Sequence, residues 1–178
     1  MSRSRSSPAR LRTAEYAAST HGGGIFGPAS VPLDRTAHNA VVTSRTVGEL
    51  LESARASLDR VTPAEAAAEQ AAGALLIDTR CADARVREGA IPGAAPIPLS
   101  VLFWRLDPSS DSADRRLADR SRRVILVCAH GYSSSLAART LRDLGFDRAT
   151  DVIGGFEAWH AAGLPVTREA DSAGVSRA

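Results

Sequence analysis

The chain has 178 residues with 22 basic side chains, all of them arginine, 20 acidic side chains, two cysteines and a formal net charge of +2. Six arginines lie in the first 45 residues, where only two acids oppose them, so the remainder is close to neutral and no nucleic-acid-binding surface is indicated. No apolar run approaches the roughly 18 residues of a membrane span, and the amino terminus lacks the apolar segment of a secretory signal. Two cysteines are too few for a disulfide scaffold, so we expect a cytoplasmic protein with two free thiols and no nucleic-acid or membrane partner.

The amino-terminal part of the chain differs in composition from the rest. Residues 1–45 are rich in Ser, Arg, Gly, Pro and Thr without a sustained hydrophobic period, which predicts a flexible tail. A Thr-x-x-Glu capping box at Thr46 then begins a helix within residues 46–60, which we expect to pack on the following domain. Its apolar stripe consists of Val47, Leu50, Leu51, Ala54 and Leu58. The domain is predicted to span residues 61–168, and residues 169–178 are predicted to form a second flexible tail.

Predicted strands and helices alternate from residue 61 onward. Pro63 begins an alanine-rich helix that ends at Gly73, and the apolar run "ALLID" follows as a buried strand. Shorter runs at "APIP", "VILV" and "TDVI" repeat the pattern. Strands that are apolar on both faces and separated by helices predict a parallel sheet covered on both sides, with chemistry at the carboxyl ends of its strands.

One of the two cysteines lies at such a strand end. The run "VILV" predicts a central strand, and Cys128 follows it directly. The loop between this cysteine and the next helix contains Ala129, His130, Gly131, Tyr132, Ser133 and Ser134. Backbone N–H groups in such a loop can converge on the sulfur, and the dipole of the following helix adds partial positive charge. Both effects favour the thiolate, so the pattern predicts a reactive cysteine rather than a core residue.

Four motifs, in this order and at this spacing, resemble the rhodanese-type sulfurtransferase family: "LLIDTR", "EGAIPGA", "CAHGYSSS" and "VIGGFEAWHAAGLPV", within about residues 58–168. The resemblance implies a three-layer α/β fold in which helices flank a five-stranded parallel sheet. It also implies a catalytic cysteine that carries a persulfide, and Cys128 matches that cysteine. The loop is similar to that of small single-domain bacterial thiosulfate sulfurtransferases, and the residues that match it one by one are Cys128, His130, Gly131, Ser133 and Ser134.

The resemblance extends to residues outside this loop. Asp78 and Arg80 match an Asp-x-Arg pair at a neighbouring strand end, and we expect Asp78 to orient loop amides or Arg80 rather than to carry a proton. Gly93 matches a glycine of the family, and Ala90 replaces a family histidine, which we interpret as a structural change. The two-domain members carry basic side chains in the active loop, whereas in this loop only His130 could supply positive charge.

The function that these residues predict is sulfur transfer. A Cys128 thiolate takes the sulfane sulfur of a small donor, thiosulfate or a persulfide, and a thiol or cyanide then accepts it. The expected thiol acceptor is thioredoxin-like or of low molecular weight. We expect no cofactor, and neither cysteine has a second ligand at metal spacing, so no metal site is predicted.

Two other functions stay open. One is a cysteine phosphatase or arsenate reductase of similar fold, and the other is a persulfide-sensing, redox-sensing or protein-binding module with little turnover. Against the phosphatase, Ser134 stands where a Cys-x5-Arg loop would place its phosphate-binding arginine. We expect Cys81 to be a surface cysteine, with a resolving thiol as the alternative, and Trp104 and Trp159 to be packing residues.

Overall fold

The computed structural model describes residues 44–167 of the chain. The predicted amino-terminal tail, apart from its last two residues, and the predicted carboxyl-terminal tail lie outside the described residues. Within residues 44–167, the helices are α1 (Val47–Ala56), α2 (Pro63–Ala71), α3 (Ala82–Glu88), α4 (Leu102–Leu106), α5 (Ser133–Asp143) and α6 (Gly155–Ala161). The strands in the same part of the chain are β1 (Leu75–Asp78), β2 (Ala95–Pro96), β3 (Val124–Val127) and β4 (Ala149–Asp151). No helix in this range is both long and apolar enough to cross a membrane.

Capping boxes begin the first two helices. The Thr46 hydroxyl accepts a hydrogen bond from the Glu49 amide at 3.2 Å, and the Glu49 carboxylate accepts one from the Thr46 amide at 2.7 Å, as the sequence predicts. Thr62 and Glu65 form the same arrangement before α2, and Pro63 occupies its first turn. Both helices therefore begin at side chains that satisfy amide groups without partners inside the helix.

The apolar stripe of α1 is buried only towards its carboxyl end. Ala54 is buried, and Leu51 and Leu58 are half-buried where α1 and the residues after it pack on the domain. Val47 and Leu50, by contrast, are exposed by 73% and 42%. Helix α1 therefore packs through its second half, whereas its amino-terminal end is exposed.

The strands of residues 44–167 form one parallel four-stranded sheet in the order β2-β1-β3-β4. In place of a fifth strand there is a single parallel bridge between Val61 and Val152. The Val61 amide donates to the Asp151 carbonyl at 3.2 Å, and the Ile153 amide donates to the Val61 carbonyl at 2.9 Å. The ladder stops there because the capping box of α2 comes next and Pro63 has no amide proton to donate. The expected five-stranded sheet is therefore wrong, since the described sheet has four strands.

Helices cover both faces of this sheet, because successive strand residues point to opposite faces. In β1, Ile77 packs in a cluster with residues of α4 and α5, whereas Leu76 packs in a second cluster with residues of α2 and α6. The residues of β3 alternate between the same two clusters, and all four of them are buried. This is the predicted layered α/β architecture, and it brings the carboxyl ends of β1, β3 and β4 to one edge of the sheet.

The two tryptophans occupy different environments. Trp159 is 2% exposed and its indole N–H donates to the Pro165 carbonyl at 3.0 Å, so its predicted packing role is confirmed. Trp104 is 58% exposed, so the same prediction is wrong for this residue. The reason is that the buried Leu102 and Leu106 lie four residues apart on one face of the short helix α4, which leaves Trp104 on the opposite face.

Candidate active site

Cys128 lies directly after the central strand β3 and before the first turn of α5. The residue is only 7% exposed. Its Sγ accepts a hydrogen bond from the Gly131 amide at 3.2 Å and lies 3.1 Å from Ser134 Oγ. We call residues 128–134 the active loop. This loop folds back on the sulfur, so that a main-chain N–H and a hydroxyl group meet the most nucleophilic atom of the site.

These contacts change the acidity of the Cys128 thiol. Burial raises its pKa, but hydrogen bonds from the Ser133 hydroxyl, from the Ser134 hydroxyl and amide, and from the His130 amide lower it by more. The pKa therefore lies below its ordinary value of 9.0. The hydrogen bonds have this effect because they stabilise the charged thiolate more than the neutral thiol. The active loop thus holds a better nucleophile near neutral pH than an ordinary cysteine.

Alkylation of Cys128 by iodoacetamide is expected to reach its maximal rate at a lower pH than alkylation of an ordinary cysteine. Only the thiolate reacts, and its fraction is lost as the pH falls through the lowered pKa. The Cys81→Ser variant keeps Cys128 as its only thiol, so its rate of mass gain between about pH 5 and 10 gives the midpoint directly. We expect a midpoint below 9.0, and a value at or above 9.0 would contradict the stabilised thiolate.

Carbonyl groups of the active loop are bonded to the helix that follows β4. The Cys128 carbonyl accepts a hydrogen bond from the Phe156 amide at 2.8 Å, and the Ala129 carbonyl accepts one from the Glu157 amide at 3.0 Å. Both donors lie in the first turn of α6, where amide groups have no partner within the helix. Because these carbonyls are satisfied from outside, the amide groups of the loop are left to face the sulfur.

Two glycines allow α6 to approach the active loop at this distance. Gly155 has a φ of +62°, and a Cβ atom there would lie 2.7 Å from the Gly131 nitrogen and closer still to the Cys128 carbonyl oxygen. Gly131 has a φ of +72°, and a Cβ atom there would lie 2.8 Å from the Gly154 nitrogen. Both the conformation and the close backbone contact therefore exclude a side chain at these two positions.

Two arginines that sequence reasoning missed donate to the active loop from outside it. Arg55 Nη2, on α1, lies 2.7 Å from the Gly131 carbonyl oxygen, and Arg60 Nη2 lies 3.4 Å from the same atom. The guanidinium carbon of Arg55 also lies 5.5 Å from the centre of the Tyr132 ring. Positive charge at the loop therefore comes from these arginines, which a count of charges within the loop did not reveal.

A buried carboxylate, Asp151, lies behind the active loop at the end of β4. It is 0% exposed, and its Oδ1 lies 2.7 Å from Arg60 Nε. Its Oδ2 accepts hydrogen bonds from the Ser134 hydroxyl at 3.0 Å and from the Ser135 hydroxyl at 2.8 Å. The sequence reasoning missed this residue too, although its position at the carboxyl end of a predicted strand could have indicated it.

Asp78 and Arg80 form a buried ion pair at the end of β1. Arg80 Nη2 lies 2.6 Å from Asp78 Oδ2, and the Arg80 amide donates to Asp78 Oδ1 at 3.0 Å. The guanidinium carbon of Arg80 lies 3.4 Å from the ring centre of Phe156, the residue whose amide binds the Cys128 carbonyl. The pair thus contacts the residue that holds the active loop, and the hydrogen bonds of the Asp78 carboxylate within residues 44–167 go to Arg80 rather than to loop amides.

The other two positions of the family motif lie in local backbone structure. Ala90, which replaces a family histidine, pairs with Thr167: each amide donates to the other residue's carbonyl, at 2.9 and 2.8 Å. Gly93 has a φ of +74° in the turn before β2, where Gln70 Nε2 donates to the Pro92 carbonyl at 2.9 Å. Both positions therefore stabilise the connection between α3 and β2.

The outward side of the active loop borders a cleft. The His130 side chain is 61% exposed, with its Nε2 3.8 Å from Glu157 Oε2, and Tyr132 is 60% exposed. A cleft of about 430 Å³ is lined by Glu88, Ala129, His130, Phe156, Glu157 and His160. A larger cleft of about 590 Å³ lies at the opposite ends of the strands, and no residue of the active loop lines it. We therefore take the smaller cleft as the approach to Cys128.

Cys81, the other cysteine of the chain, lies outside the active loop. Cys81 is exposed at the amino end of α3, and Cys128 is buried; both are free thiols. Within residues 44–167, no group of three or more His, Cys, Asp or Glu side chains is placed to hold a metal ion. The described part of the chain thus presents one buried sulfur, surrounded by hydrogen-bond donors, as its reactive group.

Comparison with curated proteins relates part of this chain to thiosulfate sulfurtransferases. The chain is 51% identical over 43 residues to thiosulfate sulfurtransferase GlpE of Vibrio cholerae, a stretch that covers 24% of this chain and 41% of that protein. It is 49% identical over 43 residues to GlpE of Actinobacillus pleuropneumoniae, covering 24% and 40% of the two chains. The chain therefore spans about two fifths of the length of these curated relatives.

Solved structures and a family model complete the comparison. A protein of unknown function from Rhodopseudomonas palustris, described as a possible tyrosine phosphatase, matches with a TM-score of 0.65 and 31% identity, covering 70% of this chain and 96% of that chain. The polysulfide-sulfur transferase homodimer of Wolinella succinogenes shares the fold, with a TM-score of 0.56 at 22% identity, over 73% of this chain and 90% of that chain. The model of the rhodanese-like domain matches residues 62–162, more than half of the chain. The chain therefore belongs to the rhodanese-like domain family.

Proposed function

We propose that this protein is a sulfurtransferase that carries a sulfane sulfur as a persulfide on Cys128. The observation that carries this proposal is the buried Cys128 Sγ, which accepts the Gly131 amide at 3.2 Å and lies 3.1 Å from the Ser134 hydroxyl. Such a pocket suits a single sulfur anion, because its donors are short groups that converge on one atom. The identity to thiosulfate sulfurtransferases, 51% over 43 residues, supports the same chemistry.

The reaction that we propose has two displacement steps. In the first, the Cys128 thiolate attacks the outer sulfur of thiosulfate, a new sulfur–sulfur bond forms, and the old one breaks with its electron pair leaving on sulfite. In the second, an acceptor thiolate or cyanide attacks the outer sulfur of the persulfide, and the electron pair of that bond returns to Cys128. The Gly131 amide and the Ser134 hydroxyl stabilise the anion in both states, as oxyanion-hole donors do in acyl transfer.

The proposed acceptor is a thiol, thioredoxin-like or of low molecular weight, that approaches through the cleft beside His130. The donor is thiosulfate or another persulfide, and Arg55 and Arg60 support binding of such anions through their positive charge near the loop. We place the reaction in the cytoplasm, since both the thiolate and its thiol acceptor require a compartment in which thiols stay reduced.

Phosphate chemistry is a second candidate, because the structural relative from Rhodopseudomonas palustris is described as a possible tyrosine phosphatase. The site of the present chain does not favour it. Ser134 occupies the position of the phosphate-binding arginine, and the next arginine on α5, Arg139, pairs with Asp143 at 2.8 Å on the exposed side. Arg55 Nη2 donates to the Gly131 carbonyl, and Arg60 Nε and Nη2 donate to Asp151, so these donors are engaged within the protein.

A direct comparison of sulfur and phosphate substrates tests the proposal. After incubation with thiosulfate, the intact protein is expected to gain the mass of one sulfur atom and to lose it with a reducing thiol, and thiocyanate is expected to form from cyanide. Hydrolysis of aryl phosphates and reduction of arsenate should be undetectable under the same conditions, because no bidentate guanidinium is free for the tetrahedral anion.

The other outcomes of this comparison identify the other functions. Phosphate release that depends on Cys128 and exceeds sulfur transfer would assign a phosphatase. A stable mass gain without turnover to cyanide or thiols would assign a persulfide sensor, and no mass gain at all would leave a binding module. Each of these three results would contradict the proposal that the protein is a sulfurtransferase.

A further inference from the structure

The Ser134 hydroxyl has two competing hydrogen-bond partners and only one proton. Its Oγ lies 3.1 Å from Cys128 Sγ and 3.0 Å from Asp151 Oδ2, and all three residues are buried. A hydroxyl group donates once, so it cannot donate to the sulfur and to the carboxylate at the same time. When Cys128 is a thiol, its S–H donates to Ser134, which donates to Asp151. When Cys128 is a thiolate, the hydroxyl must turn from Asp151 to the sulfur.

Asp151 can lose the hydrogen bond from Ser134 because other donors also bind its carboxylate. Arg60 binds both carboxylate oxygens, with Nε 2.7 Å from Oδ1 and Nη2 3.1 Å from Oδ2. The Ser135 hydroxyl donates to Oδ2 at 2.8 Å and lies 3.1 Å from the Gly131 carbonyl oxygen, so this group also chooses between two acceptors. When the Ser134 hydroxyl turns to the sulfur, the Asp151 carboxylate therefore keeps three hydrogen bonds, two from Arg60 and one from Ser135. These bonds offset the cost of burying its charge.

We propose that Asp151 and Arg60 are positioning residues that set the direction of the Ser134 hydroxyl and thereby the strength of its hydrogen bond to Cys128. This inference rests on the proposed function, since it concerns the state of the same sulfur. Asp151 competes with the sulfur for the proton, and Arg60 weakens that competition by neutralising the carboxylate. Arg60 lies two residues before the stretch that the family model matches, 62–162.

Other charged groups also surround the loop, and they stay constant in the test. Asp78 and Arg80 pair with each other at the end of β1. Arg55 contacts the Gly131 carbonyl from α1, and the exposed His130 lies near Glu157 on α6. Asp151, by contrast, accepts from the Ser134 hydroxyl that contacts the sulfur, and Arg60 binds that carboxylate.

Two substitutions that break the same ion pair are expected to have opposite effects. Asp151→Asn removes the competing carboxylate, so the pH midpoint of Cys128 alkylation should fall by about one unit. Arg60→Gln leaves the carboxylate uncompensated, so the Ser134 hydroxyl keeps donating to Asp151 and the midpoint should rise by a similar amount. All variants are made in the full chain with Cys81→Ser. Arg139→Gln breaks an exposed pair on the same helix α5 and should leave the midpoint unchanged.

A second comparison separates positioning from simple charge. In the Ser134→Ala background the hydroxyl is gone, so the effects of both substitutions should shrink to less than half. If Asp151→Asn and Arg60→Gln shift the midpoint in the same direction, or if neither shifts it, the proposal is wrong. Undiminished shifts without Ser134 would also overturn it, since they would show a direct charge effect. Arg60→Lys should restore most of the midpoint, and Arg60→Met replaces Arg60→Gln if the latter does not fold.

This experiment is independent of sulfur transfer. Alkylation requires only the thiol, so the midpoints are measured without thiosulfate or an acceptor. If the pH midpoints shift as expected but no persulfide forms, the positioning role of Asp151 and Arg60 is supported and the sulfurtransferase function is not. If a persulfide forms but the shifts are absent, the reverse conclusion follows.

Discussion

Replacement of Cys128 by serine is expected to abolish thiosulfate-to-cyanide sulfur transfer, with a loss of at least about a thousandfold in rate. A hydroxyl group at this position has a much higher pKa than the thiol and forms no sulfur–sulfur bond. The substitution conserves size, so the buried position next to Gly131 and Ser134 should stay filled and the domain folded. Thiocyanate formation measures the rate, and intact-mass analysis after thiosulfate treatment measures the persulfide directly.

The matched control is the other cysteine of the chain. Cys81 is exposed at the amino end of α3, and its side chain makes no capping hydrogen bond there. We expect Cys81→Ser to change the rate of sulfur transfer less than about twofold, as surface substitutions usually do. Persistence of the mass gain in Cys128→Ser would refute the assignment of the nucleophile, and loss of most turnover in Cys81→Ser would instead make Cys81 a resolving thiol.

Replacement of Gly155 by alanine is expected to lower sulfur transfer by about a hundredfold or more. The new Cβ atom would lie 2.7 Å from the Gly131 nitrogen and would press on the Cys128 carbonyl oxygen, in a residue whose φ is +62°. Both contacts are with backbone, so relief requires the active loop itself to move away from the sulfur-binding geometry. We expect the free energy of unfolding to fall as well, by about 2–4 kcal/mol, which chemical denaturation measures.

Gly163 provides the control for this substitution. It has nearly the same backbone conformation, with a φ of +66°, but a Cβ atom there would meet no other atom within 4 Å. Gly163→Ala should therefore show only the conformational strain, about 1 kcal/mol in the free energy of unfolding, and should leave sulfur transfer unchanged. Equal losses of activity in the two variants would mean that the close contact of α6 with the loop has no role in turnover.

The parts of this fold that the sequence predicts are those decided by local patterns. The run at Val124 is apolar at every position because β3 is buried on both faces, and this is visible without a structure. The capping box at Thr46 is equally local. The fifth strand was predicted wrongly because Val61 precedes a helix cap and a proline, so its pairing with Val152 ends after one residue. Trp104 was misplaced because a five-residue helix buries only one of its faces.

The candidate site also has a part that local sequence patterns predict and a part that they do not. The position of Cys128 follows from the order strand, cysteine, small residues and helix, and all of these lie within one short segment of the chain. The donors behind the loop come from far away: Arg55 is 76 residues from Gly131, and Arg60 is 91 residues from Asp151. In a chain with 22 arginines, no local pattern marks which of them reach the loop, because their contacts depend on how distant elements pack.

The contact of Arg55 with the Gly131 carbonyl bears on how such a domain could be exchanged between proteins during evolution. The family model matches residues 62–162, and α1, at Val47–Ala56, supplies a guanidinium 2.7 Å from the loop that surrounds the sulfur. A recombination event that transferred only residues 62–162 would deliver Cys128 without the helix that contacts its loop. We therefore expect gene fusions that preserve the geometry of the active loop to retain α1 together with its capping box.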